Sequence, residues 1–344
     1  MKLVKPKKLE FGDKVATVSL SWGGAGDKSL LWRYELGKKR LQELWGFQVV
    51  EMDNTLKGSE FVYNHPEKRA ADLMKAFRDP SIKAIFSCIG GDDSIRMLPY
   101  IDFDIIETNP KIFIGYSDTT VTHFMCMKTG LSSFYGPSIL AEFAENINIF
   151  DYTKDNFEKV LLKTEVIGEI KAAKEWTGER IEWTEDNKTI AKKMEKNLGY
   201  EVLQGKGIAT GHLIGGCIEV MEMMKGTSLW PTIDEFKGAL LFFDTSEDMP
   251  HPNLIKYWLR NYGAQGILQN ISGILWSKPY ENKYYEEYKE VILTVMKEYN
   301  LQALPILYNM NFGHTEPMIT IPYGAMGQID CEKGTFSILE NGVK

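Results

Sequence analysis

The stretch KIFIGYSDTTVTHFMCMKTG, residues 111–130, decides how this chain is read. It opens as an apolar run suited to a buried strand and closes with the pattern of a helix. Between the two lies Gly115-Tyr116-Ser117-Asp118. A sharp strand-to-helix turn can lift a serine hydroxyl to the end of a parallel sheet, the geometry of a nucleophile elbow. Such a turn also needs a polar cap, and Ser or Asp accepts the first free N–H groups of a helix equally well. Gly115 permits a strained backbone, and Asp118 can do the capping, which would leave Ser117 free. Thr119 breaks the G-x-S-x-G signature, so the local pattern leaves both readings open.

The same alternation extends back to the N-terminus. KVATVSL (14–20) reads as a strand emptying into SWGGAGD, and LLWRYELGKKRLQELW as the helix after it. GFQVVEMD is the second strand, and HPEKRAADLMKAFRDP the second helix, opened by Pro66 and closed before Pro80. IKAIFSCI is the third strand, followed by GGDDS. Strands and helices at this spacing predict a parallel sheet covered on both faces, with its ligand crevice outside the carboxyl ends of the strands. SWGGAGD, IGGDDS and IGYSD all fall at that end.

Beyond residue 145 the pattern changes. We divide the chain into 1–145, an α/β domain; 146–205, a polar linker and excursion loop carrying Trp176 and Trp183; and 206–344, a second domain. The last begins near GIATGHLIGG and includes the strands GALLFFDTS and ISGILWS, three helices and a β-rich end.

A net charge of -7 argues against nucleic acid or an anionic membrane as partner. The basic N-terminus has no apolar core after its lysines, and no apolar run reaches the roughly 18 residues of a membrane span. Four scattered cysteines without a C-x-x-C pair read as reduced thiols of a cytoplasmic protein. No His/Cys/Asp cluster has zinc spacing, so no metal is expected. Gly23, Gly24 and Gly26 lack G-x-G-x-x-G spacing, which disfavours a nicotinamide cofactor.

The glycines of IGGDDS present free N–H groups suited to a phosphate or an oxyanion, or else form only a tight turn. Of the five histidines, His314 stands out in MNFGHTEPM, between two strand-like runs and after Gly313. His65 reads as solvated, His123 as packing and His251 as a loop residue. An acid to orient a base is offered by Asp244 at the end of GALLFF, with Glu247 and Asp248 just after; a helix cap is the alternative.

In order, IGGDDSIRMLPYID, IGYSDTTVTHF, GHLIGG, LLFFDTSED and NFGHTEPMITIPYG resemble the LD-carboxypeptidase family of serine peptidases (S66) over about residues 12–335. FFDTSED, FGHTEPM and the Trp-bearing insertion look closer to the microcin C immunity hydrolases than to the cell-wall recycling carboxypeptidases. The resemblance implies a flavodoxin-like N-terminal domain, a smaller C-terminal α/β domain with a barrel-like sheet, and usually a homodimer. It implies a triad of Ser117, Asp244 and His314, an oxyanion hole at Gly91 and Asp118, and no cofactor or metal. Substrate contacts would come from Gly90, Asp92, Trp183, Cys217 and Glu247, and the substrate would be a small or peptide-like molecule. Two departures stand out: Asp244 where members usually carry Glu, and Cys217 where they usually carry Asn. The shorter Asp244 is expected to reach His314 by a backbone shift or through water. On this reading Ser117 is the nucleophile and Asp118 the cap.

Overall fold

Apolar runs of four to six residues alternate with amphipathic helices up to Lys128, and in the computed structural model, which describes residues 2–344, they build a parallel sheet. Its strands are β1 (Lys14–Val18), β2 (Gln48–Glu51), β3 (Ile82–Ser87), β4 (Ile112–Gly115) and β5 (Phe134–Tyr135). They lie in the order β5-β4-β3-β1-β2, all parallel, which is the flavodoxin-like arrangement. Helices α1 (Leu31–Trp45), α2 (Ser59–Asn64), α3 (Pro66–Arg78), α4 (Phe103–Thr108) and α5 (Thr120–Lys128) connect them. Strands β3 and β4 are buried almost throughout, as a sheet covered on both faces requires.

The segment from 146 to 205 is more ordered than its polar composition predicts. It carries α6 (Asp151–Leu161), with Phe157, Val160 and Leu161 buried on one face. It also supplies β6 (Gly168–Ile170), the short pair β7 (Glu175–Trp176) and β8 (Glu195–Lys196), and β9 (Glu201–Gln204). Strands β6 and β9 form the two edges of the second sheet, so the segment is part of that layer as well as an excursion.

That second sheet has at its centre β10 (Ile208–Cys217), β11 (Leu240–Asp244), β12 (Gly273–Ser277) and β13 (Ile306–Met310), mutually parallel. α7 (Ile218–Met224), α8 (Ile233–Phe236), α9 (Pro252–Ala264) and α10 (Tyr285–Glu298) join them. β14 (Ile321–Pro322) crosses to pair antiparallel with β5, so the C-terminal chain completes the edge of the first sheet. β15 (Met326–Asp330) and β16 (Thr335–Ile338) return to the second. Register places Cys217 opposite Asp244 at the carboxyl ends of β10 and β11. The carboxyl ends of the two sheets meet where Tyr135, at the end of β5, touches Asp244. Among the described residues no helix is long and apolar enough to cross a membrane.

Candidate active site

Ser117 lies two residues beyond Gly115, the last residue of β4, and has φ +62°. A non-glycine residue held there costs of order 1–3 kcal/mol and marks a position fixed by its surroundings. Those surroundings are specific. The Ser117 N–H donates to the Tyr135 hydroxyl at 3.1 Å, and its carbonyl accepts from Thr120 Oγ1 at 2.7 Å. Gly90 lies so close that a Cβ there would sit 2.7 Å from Ser117 Cβ and 3.3 Å from the Asp118 nitrogen. Gly91 has φ +143° and presses against Ser21 and the Trp22 nitrogen.

Asp118 is not the helix cap. Its side chain is buried and accepts from the Ser94 N–H at 2.8 Å, while Ser94 Oγ donates to the Asp118 carbonyl at 2.8 Å. The carboxylate therefore ties the glycine loop to the elbow, 24 residues apart, rather than closing α5. Arg69 reinforces that loop through Asp93, with bonds of 2.5 and 3.2 Å.

Asp244 and His314 meet directly. His314 Nδ1 lies 2.6 Å from Asp244 Oδ2, and the side chains are 6% and 0% exposed. The shorter acid reaches the imidazole directly, with no water between them, and Gly313 brings the chain against it. A Cβ at Gly313 (φ +82°) would fall 2.2 Å from Asp244 Oδ2. The other carboxylate oxygen accepts from Tyr135 at 2.6 Å. Burial, then the charge of Asp244, holds the Tyr135 hydroxyl well above its ordinary pKa, so it remains a donor. One phenol thus joins the Ser117 backbone to the Asp244 carboxylate.

The opposite nitrogen, His314 Nε2, is buried and makes no hydrogen bond. Glu247 Oε2 stands 3.3 Å from it, off the line of a hydrogen bond, on a side chain that is 47% exposed. Burial pushes His314 down, but Asp244, then Glu247 and Glu219, outweigh it and raise the imidazole to about 9.

Ser117 and His314 line one cavity of about 720 Å³, together with Gly90, Gly91, Asp92 and Cys217. Glu247 stands at its wall, and Trp183 reaches it from the excursion. Trp183 stacks on Trp22 at 6.4 Å and covers the Arg33 guanidinium at 4.4 Å. Trp176 does something else: it is 4% exposed, with Lys278 Nζ 4.3 Å from its ring, so it packs. Cys217 is buried; desolvation, then Glu219 and Asp244, raise its thiol well above the ordinary range and keep it from acting as a thiolate. Its Sγ lies 3.4 Å from Glu219 Oε2.

Three other histidines are held by local contacts outside this pair. His123 is fully buried, bonded to Gly115 O and Ser133 Oγ at 2.9 Å each, and burial lowers it to about 3. His251 caps α9 by accepting from the Asn253 N–H, and the half-exposed His65 pairs with Glu67.

Tyr135 was not singled out in the sequence, nor was a buried charge cluster on the cavity wall. In that cluster Lys192, from the excursion, bonds Glu145 at 2.7 Å and also Glu316, beside Arg33. Burial, with Glu145 and Glu142 adding to it against Lys192, raises Glu316 to about 8. Phe134-Tyr135-Gly136, just after the apolar helix, was the available signal for Tyr135; nothing local marks the cluster.

Comparison with known proteins shows the family. Residues 15–136 match the LD-carboxypeptidase N-terminal domain and residues 210–329 its C-terminal domain. A putative carboxypeptidase of Vibrio cholerae is 30% identical over 303 residues, 87% of each chain. The microcin C7 self-immunity protein MccF of Escherichia coli is 30% identical over 304 residues, 86% of this chain and 85% of that one. The crystal structure of an MccF-like protein from Streptococcus pneumoniae in complex with AMP superposes with a TM-score of 0.88. It is 32% identical and covers 95% of this chain and 99% of that one. With both halves matched in order, and with the fold they share, this chain belongs to the LD-carboxypeptidase family of peptidases.

Proposed function

We propose that the protein is a metal-independent serine hydrolase that cleaves amide or phosphoramidate bonds of aminoacyl- or peptidyl-nucleotide conjugates. The observation that carries it is the continuous arrangement Ser117–Tyr135–Asp244–His314 at the meeting of two sheets, with the serine at positive φ. Ser117 Oγ attacks the acyl carbon while His314 Nε2 takes its proton. Asp244 holds the Nδ1 proton in place and stabilises the imidazolium. The oxyanion forms against the N–H groups of Asp118 and of the Gly91 loop, which Asp118 and Ser94 lock together. His314 then returns the proton to the leaving group, and water releases the acyl group by the same steps reversed.

The nucleotide part rests on the aromatic end of the cavity. Trp22 and Trp183 offer a flat platform, and a tryptophan contributes about 1–3 kcal/mol by stacking on a base. The AMP bound by the Streptococcus pneumoniae relative supports a nucleotide at such a site. The alternative within the family is release of a terminal D-alanine from murein tetrapeptides, which bring no ring to stack. Side-by-side kcat/KM values for an aminoacyl sulfamoyl adenosine and a murein tetrapeptide test the choice. The conjugate should be preferred, and Trp183→Ala should raise its KM about 5- to 100-fold without touching the peptide. Preference for the tetrapeptide, unaltered by Trp183→Ala, would assign the protein to the carboxypeptidases.

A further inference from the structure

The cavity is far more acidic than a site for an anionic conjugate requires. Nine of its lining residues are Asp or Glu and three are Arg or Lys; of the nine, Asp93 is paired with Arg69 and Arg96, and Glu316 with Lys192. Two of those cations are already engaged: Lys192 with Glu145 and Glu316, and Arg33 with Leu140 O, Asn146 and the Trp183 ring. On the C-terminal wall Glu219, Glu247 and Asp248 stand near the reacting groups, and among the described residues no Lys or Arg lies within ion-pair distance of any of them. Glu219 is satisfied by the Ser246 N–H at 2.8 Å and by Cys217 Sγ. Glu247 has only the His314 imidazole, at 3.3 Å. That nitrogen, buried and without a hydrogen bond, is the one that must take the Ser117 proton.

We propose that Glu247 is a specificity residue for substrates whose acyl portion carries a cationic side chain, an ammonium or a guanidinium, and that this group draws Glu247 away from His314. The inference rests on the hydrolase reading above and names the acyl part of its substrate. Glu247 and Asp248, both exposed, are more than an α-ammonium alone neutralises, which is why the charge is assigned to the side chain. In the resting site two carboxylates flank one imidazole and favour its protonated, non-basic form. A cation placed against Glu247 removes one of them and leaves Nε2 free for Ser117. A glutamyl side chain would add a further negative charge to the same wall, and a neutral one would leave Glu247 where it is. Selection therefore acts on kcat as well as on KM.

The test uses the whole protein and three acyl groups, lysyl, norleucyl and glutamyl, each on sulfamoyl adenosine and each as a p-nitroanilide. Lysyl should exceed norleucyl in kcat/KM by at least about tenfold, and norleucyl should exceed glutamyl. Glu247→Gln should reduce the lysyl-to-norleucyl ratio about tenfold, and Glu247→Lys should reverse the order of lysyl and glutamyl. The half-exposed position makes both variants compatible with folding, which a melting curve checks. A wild-type ratio of one or below, or a ratio unchanged in Glu247→Gln, overturns the proposal. Should only the anilides react, in the expected order, the charge assignment stands and the nucleotide reading falls. Turnover of neither series by folded protein overturns both.

Discussion

The floor and the rim of this cavity are built on opposite principles. The floor is dry and over-determined: Ser117 sits at a forced backbone angle, Asp244 is fully buried, and Tyr135 ties one to the other across two sheets. The rim is open to solvent. Glu247 is half-exposed, and Trp183 hangs from an excursion held to the wall by Lys192. Buried charge that is paired and hydrogen-bonded is stiff, because losing one partner leaves the other uncompensated in a medium that cannot solvate it. Exposed charge is screened and free to follow a ligand. On the proposed function, bond-breaking belongs to the floor and choice of substrate to the rim.

Changes to the floor should therefore be severe and indifferent to the acyl group. Ser117→Ala should lower kcat by about 10⁶, the scale on which a triad enzyme depends on its nucleophile. It should not lower the melting temperature, since the bonds that hold Ser117 are made by its backbone, which alanine keeps. A folded variant with parental turnover would break the contrast at its strongest point. Asp244→Asn should cost about 10⁴ in kcat, because the amide neither holds the tautomer nor stabilises the imidazolium. Asp244→Glu should recover much of the rate only if Gly313 leaves room for the extra methylene. Rates for the two variants beside that of Glu247→Gln decide which carboxylate orients the histidine.

Tyr135→Phe is the subtler change. It removes one hydrogen bond to a buried carboxylate and one acceptor from the Ser117 N–H, and kcat should fall about ten- to a hundredfold with KM little altered. The negative charge of Asp244 would then fall more heavily on His314. The wild-type imidazole is held at about 9, so kcat/KM should climb as pH rises through neutrality toward that value, the base being active when neutral. In Tyr135→Phe the acid limb of this profile should move to higher pH. In Glu247→Gln, which removes a neighbouring negative charge, it should move to lower pH. A merely structural tyrosine would change the melting temperature and leave the limb where it was.

How much of this could be read beforehand follows the same division. The parallel sheet and the elbow were legible because strand, turn and helix are contiguous, and the period of apolar residues changes from one to the next. Asp244 was legible at the end of an apolar strand and His314 between two strand-like runs, although the direct contact between them depends on how closely Gly313 approaches. Asp118 was misread because capping logic looks only along the helix, whereas its partner Ser94 belongs to the previous loop. Helix α6 and the edge strands β6 and β9 were hidden by their polar neighbourhood; the apolar face of α6 has meaning only against Trp45, Phe86 and Phe143 of the first domain, and the edge strands only against the second sheet. The Lys192–Glu145–Glu316 cluster joins three distant segments, and no local pattern foreshadows it.

The central claim is that Ser117 is an activated nucleophile, and covalent labelling tests it before any substrate is in hand. Folded protein would be incubated with a fluorophosphonate at pH 7 and at pH 9, and the adduct located by peptide mass. The account predicts one phosphonyl group on Ser117, formed faster at pH 9 as His314 loses its proton, and none on Ser117→Ala. Labelling at another residue, or an unreactive wild-type protein at both pH values, would contradict it.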